Sequence, residues 1–148
     1  MSSSSDDNSQ ELQNARDEKR GYESSKEDKE ALYEQNVGKI SRLRTVKTNL
    51  ENQKEYAKDR KDSIGKYVEE PYNFADWYGN MQNNTSAVMS LNIVPYYKSY
   101  VERIDEVLDS VNDKITALEN KNMQLNGDIL RLASLINSLA NKIENLLN

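Results

Sequence analysis

From Val101 to Leu146 the core residues stand three and four apart without a slip. Val101, Leu108, Ile115, Asn122, Ile129, Ile136 and Ile143 hold the first core position of each heptad. Ile104, Val111, Leu118, Leu125, Leu132, Leu139 and Leu146 hold the second. A repeat near 3.5 residues specifies helices wound left-handedly about a shared seam. Whatever else the chain does, this third of it is a long helix with an apolar stripe that another helix must cover.

Two readings of that stripe stay open. Ile before Leu, with one polar Asn122 in the seam, is what a parallel two-stranded coil prefers. Yet Val107, Ala133, Leu135, Ala140 and Leu147 flank the seam and widen it, which suits a bundle of three or four helices. Asn122 itself either sets register or lies opposite a polar residue and costs little.

The rest of the chain is far more polar. Hydrophobic residues are 36% of the whole and charged residues 30%, against roughly 45–50% and 25% in ordinary globular domains. Long paired helices tolerate that composition, because each buries only one stripe. Gly (5) and Pro (2) are too scarce for a turn-rich sandwich or a Rossmann fold. Residues 1–10 are expected to be a disordered polar N-terminus. Residues 11–70 hold good helix formers and no proline, and are expected to form helix one. Leu43, Leu50, Ala57 and Ile64 recur every seven residues, with Val46 and Tyr67 as a second row that Gln53 and Arg60 interrupt.

Pro71 ends that helix. Residues 71–80 form an aromatic connection holding the only Phe and the only Trp, read as a packed turn with Phe74, Trp77 and Gly79 as its motif. Residues 81–148 form helix two. Pro95 either kinks it or opens a fresh helix. Reversal at the connection lays the helices together and pairs Ile64 with Val101 and Leu43 with Asn122. The fold class expected is therefore all-α: an elongated antiparallel helical hairpin, or coiled coil, with a W-x-G connection. Residues 18–36, which face Ile129–Leu147 in that register, are too polar to cover it. The expected partner-binding residues are Leu125, Ile129, Leu132, Leu135, Ile136, Leu139, Ile143 and Leu146.

The helix, Trp77-Tyr78-Gly79 turn, helix order resembles the WXG100 superfamily of type VII secretion. The chain is more similar to the YwqH-like family, whose second helix carries a stretch like Tyr100-Val-Glu-Arg-Ile104-Asp105-Glu-Val-Leu108-Asp-Ser-Val111-Asn-Asp-Lys114-Ile115-Thr-Ala-Leu118-Glu119. The resemblance runs from about residue 30 to the end. It implies an accessory, chaperone-like protein that binds the helical N-terminal domain of an LXG-type toxin, alone or with a second small WXG100-like helical protein. It also implies a cytoplasmic location, with co-secretion through a type VII system left open. WXG100 partners carry a Tyr-x-x-x-Asp/Glu export signal in a tail. Here only Tyr72-x-x-x-Asp76 has those letters, and it lies in the connection, so export of this chain itself is not expected from it. The alternative function is a structural homodimeric parallel coiled coil.

The absent classes follow from chemistry. There is no His and no Cys, so the commonest general base, thiol nucleophile and soft metal ligands are missing. No enzyme activity, metal or cofactor is expected. The net charge of -5 argues against a nucleic-acid binder. No apolar run reaches the ~18 residues of a membrane span. Glu69-Glu70 and Asp105-Glu106 point about 100° apart on a helix and receive no catalytic role. The stretch Lys39–Lys66 holds nine basic and four acidic residues, read chiefly as a solvated face. Tyr96, Tyr97 and Tyr100 are read as a core or interface face.

Overall fold

The computed structural model describes residues 3–69 and 87–148. Helix α1 spans Ser3–Glu69 and helix α2 spans Val94–Leu147. The two pack antiparallel as a hairpin, and the described residues include no strand. The chain divides into two compact units, one of Met1–Ser41 with Thr116–Asn148 and one of Arg42–Ile115. The motif residues Phe74, Trp77 and Gly79, and the connection as a whole, lie outside the described residues.

Residues 3–10, expected to fray, are the first turns of α1. Asp6 sits in the first turn, where a negative charge meets the positive end of the helix dipole. Gln10 donates to Asn14 at 3.1 Å and Gln13 to Asp17 at 2.9 Å, both four residues on. Such i,i+4 pairs contribute only ~0.2–0.5 kcal/mol each, so packing must supply the rest.

Pro95 stands at the second residue of α2, in its first turn. Residues 87–93 are helical too, so the proline stands inside a continuous helical stretch, where its ring and its missing N–H disturb the backbone hydrogen bonds of the preceding turn. The five residues before the helix, Met89–Ile93, form a π-helical turn. That wider turn accommodates a ring that would otherwise press on the carbonyl four residues back.

In the unit of residues 42–115, α2 buries Ile104, Leu108, Val111 and Ile115. Helix α1 answers with Ala57, 1% exposed, and half-buried Leu43, Leu50 and Ile64. Lys54 bridges to Asp105 across the pair. In the other unit α2 buries Leu118, Asn122, Leu125 and Leu132, against Ala15, Asn36 and Ile40 of α1.

Two expectations about this packing are corrected. The first is the register. Asn122 meets Asn36, not Leu43: the Asn36 Nδ2 donates to Asn122 Oδ1 at 3.0 Å, and Asn122 Nδ2 donates to the Tyr33 carbonyl at 3.3 Å. The helices of this unit are thus set one heptad away from the expected alignment, and in the unit of residues 42–115 Lys54 meets Asp105, which does not fit the alignment that pairs Ile64 with Val101 either. The cause is polar matching. A buried amide left without a partner costs about 1–3 kcal/mol, and Leu43 offers it none. Asn122 is therefore satisfied inside one chain.

The second correction concerns the second core row of α1. Val46, Gln53 and Arg60 are exposed. The row that faces α2 lies one residue further on at each heptad: Leu12, Lys19, Lys26, Tyr33, Ile40, Lys47, Lys54 and Lys61, all half-buried or buried. Five of the eight are lysines. A half-buried lysine can lay its methylene stem on apolar surface and keep its ammonium group in water; of these five, Lys54 reaches across to Asp105. Lys29, in the neighbouring row, reaches Asp128 at 3.3 Å. Lys47, Lys54 and Lys61 belong to the basic stretch read as solvated; the other six basic residues, Lys39, Arg42, Arg44, Lys58, Arg60 and Lys66, are exposed and fit that reading.

Candidate partner-binding site

The last five turns of α2 are bracketed by two inter-helix ion pairs. Lys29–Asp128 stands at one end and Lys142–Glu11, at 2.9 Å, at the other. Residues 12–28 of α1 therefore face this stretch, nearer the N-terminus than the expected 18–36. They supply one buried apolar residue, Ala15, and half-buried Leu12, Lys19, Tyr22 and Lys26. Lys19 is turned to Glu23 at 3.1 Å and Lys26 to Glu30 at 3.3 Å. The Tyr22 hydroxyl donates to Glu18 at 3.0 Å, and that hydrogen bond, with the carboxylate's charge, raises the phenol's pKa above its ordinary value.

This thin cover decides the burial of the eight expected partner-binding residues. Leu125 and Leu132 are buried within the hairpin. Ile129, Ile136, Leu139, Ile143 and Leu146 are half-buried, and Leu135 is exposed. All eight lie on one side of α2, but only six offer surface to another molecule.

A feature not separated from the flanking residues in the sequence reading is a second seam. Ile129, Ala133, Ile136, Ala140, Ile143 and Leu147 stand four and three apart. They share the Ile row with the first seam and lie on the other side of that row from Leu132, Leu139 and Leu146. Ala133 and Ala140 are half-buried, and Leu147 is 59% exposed. Leu130 and Met123 extend the same side, at 64% and 73% exposed. The signal lay in the two alanines, which fall at a position held by Asp105, Asn112, Glu119 and Asn126 in earlier heptads.

The unit of residues 42–115 holds a second, smaller candidate. Asn52, Gln53, Tyr56, Ala57, Tyr97 and Tyr100 line an open cleft of about 410 Å³. Tyr97 and Tyr96 meet edge to face at 5.9 Å. The Arg60 guanidinium lies 5.2 Å from the Tyr56 ring centre, and its Nε donates to the Tyr56 hydroxyl at 3.0 Å. Of the expected aromatic face, Tyr97 and Tyr100 line the cleft together with Tyr56 of α1, which was unforeseen, while Tyr96 is 68% exposed and lies outside it.

Among the described residues no group of three or more His, Cys, Asp or Glu is placed to hold a metal ion, and no helix is long and apolar enough to cross a membrane. Asp105 is occupied by Lys54. A family model described as YwqH-like matches residues 17–141. No curated protein and no solved structure matches the chain.

Proposed function

Because the chain belongs to the YwqH-like family, we propose that it is an accessory, chaperone-like protein of type VII secretion that binds the helical N-terminal domain of an LXG-type toxin. The work is binding, not catalysis. A second small WXG100-like helical protein joins the same assembly, which forms in the cytoplasm and is delivered to the secretion machine.

The observation that supports this reading is the half-covered stripe of Ile129, Leu135, Ile136, Leu139, Ile143 and Leu146. A contiguous apolar surface of this kind marks an interaction site, and an amphipathic helix laid along it is the natural filling. The family's toxins offer long helices of that type.

The test is co-purification with the helical N-terminal domain of an LXG-type toxin. Leu139→Ala with Ile143→Ala should abolish capture, since each truncation costs about 2–5 kcal/mol where the side chain becomes fully buried. Leu108→Ala, in the covered part of the seam, should loosen the hairpin and leave the stripe usable. Undiminished capture by the Leu139/Ile143 variant would place the interface elsewhere.

A further inference from the structure

We propose that one broad side of the unit of residues 42–115 docks on an anionic lipid surface. The proposal uses neither the Ile129–Leu146 stripe nor the toxin reading.

The side is built from two strips. Along α1, Arg42, Val46, Asn49, Gln53, Tyr56 and Arg60 stand alternately four and three apart. Along α2, Tyr96, Tyr100, Arg103, Val107, Ser110 and Lys114 do the same. That spacing keeps each strip on one side of its helix, and every residue in both is exposed. The strips adjoin. Gln53, Tyr56 and Tyr100 line the aromatic cleft together, and Tyr96, Tyr100 and Arg103 line a smaller hollow beside it.

Charge is sorted on this side. Arg42, Arg60, Arg103 and Lys114 are its only charged residues. The same stretches hold Glu51, Glu55 and Asp59 on α1 and Glu102, Glu106, Asp109 and Asp113 on α2. None of these carboxylates falls on either strip; their spacing puts them on the outer and opposite sides. In the other unit the same heptad positions are mixed, with Glu11, Glu18, Asp28 and Asp128 among Lys121, Arg131 and Lys142. An acid-free side in a chain of net charge -5 is a local positive field that attracts anions.

The layout fits a plane of negative charge. Arg42 and Arg60 stand about 27 Å apart along α1, while Arg103 and Lys114 stand on the other helix. Between them lie Val46 and Val107, 44% and 48% exposed, and the tyrosines. A bilayer surface offers phosphates in two dimensions. It also takes up short apolar side chains and tyrosine rings among its headgroups. A nucleic-acid strand or one acidic helix offers a line of charge and leaves the valine of one helix or the other uncovered. The carboxylates on the far side lie about a helix diameter, ~10–12 Å, further from the lipid. That exceeds the screening length of about 8 Å at physiological ionic strength. The contact is peripheral, since no described helix is long and apolar enough to cross a membrane.

Co-sedimentation of the full chain with vesicles tests the proposal, with circular dichroism confirming that each variant stays helical. The native chain should bind vesicles of equal parts phosphatidylglycerol and phosphatidylcholine at low salt. It should ignore pure phosphatidylcholine, and should be released near 1 M salt, where screening shortens to about 3 Å. Arg60→Glu with Arg103→Glu should weaken binding about tenfold or more, since each basic group near such a surface is worth roughly fivefold. Arg42→Gln with Lys114→Gln, at the other end, should weaken it by a similar factor. Lys58→Glu with Lys98→Glu changes the net charge as much as the first pair, but off the two strips, and should weaken binding by less than about twofold. Val46→Ser with Val107→Ser should lower affinity without altering its salt dependence. A native chain that does not bind the anionic vesicles would overturn the proposal. So would equal binding to neutral vesicles, equal losses from the Arg60/Arg103 and Lys58/Lys98 variants, or capture of a DNA oligonucleotide in preference to the vesicles.

Discussion

The same seam of α2 behaves in two ways along its length. From Ile104 to Leu125 all seven core residues are buried; from Ile129 to Leu146 only Leu132 is. The α2 residues are equally apolar in both stretches, so the difference lies in α1. Against the first stretch it brings Ile40, Leu43, Leu50 and Ala57, with Asn36 to meet Asn122. Against the second it brings Ala15, Tyr22 and lysine stems. Burial in a two-helix seam is set by the poorer partner. The richer helix is left with apolar surface wherever the poorer one thins.

The sharpest test of that contrast is a pair of truncations. Leu118→Ala should lower the unfolding free energy of the isolated chain by about 2–5 kcal/mol, the range for a buried leucine. Leu139→Ala should cost about 1 kcal/mol, because much of its surface is already in water. Urea denaturation measures both. Equal losses would mean that the two stretches are equally covered.

A somewhat smaller effect is expected at the polar contact between them. Asn36→Leu removes the donor to Asn122 Oδ1 and should cost about 1–3 kcal/mol. Replacing both, with Asn36→Leu and Asn122→Leu, should restore most of that loss, as buried polar pairs often contribute more to alignment than to stability. Alignment is read by cross-linking. Cysteines at Lys54 and Asp105 should form a disulfide in the native background, and cysteines at Lys61 and Asp105, one heptad out, should not. In the double leucine variant the second pair should begin to form. A stable and still singly aligned double variant would show that the apolar contacts alone hold the register.

The heptads of α2, and with them the helical hairpin, were legible in the sequence because apolar spacing is a direct record of which side a helix buries. The uncovered end was legible for the same reason: residues 12–28 are visibly poor in apolar groups. Register was not, because pairing by chain length ignores a single amide, and Asn36 looks like any polar residue of a polar helix. The lysine row was hidden more deeply. Lys19, Lys26, Lys47, Lys54 and Lys61 read as solvent-facing by type, yet they recur at core spacing. Their spacing was the evidence, and their charge obscured it. The aromatic cleft was half visible, since Tyr97 and Tyr100 fall near Pro95 while Tyr56 sits forty residues away on the other helix.

The lysine row yields the smallest effect and the most direct test of what those side chains contribute. If Lys54 acts through its stem, Lys54→Met should leave stability within about 0.5 kcal/mol of native, since it keeps the methylenes and loses only a solvent-accessible bridge worth roughly 0–1 kcal/mol. Lys54→Ala should cost more, because it also uncovers part of the seam. Salt separates the two contributions. Raising ionic strength from 0.01 M to 1 M shortens the screening distance from about 30 Å to 3 Å, and so should erase the difference between native and Lys54→Met while leaving the penalty of Lys54→Ala in place. A Lys54→Ala penalty that vanishes at high salt would mean that the bridge to Asp105, not the stem, is what Lys54 supplies.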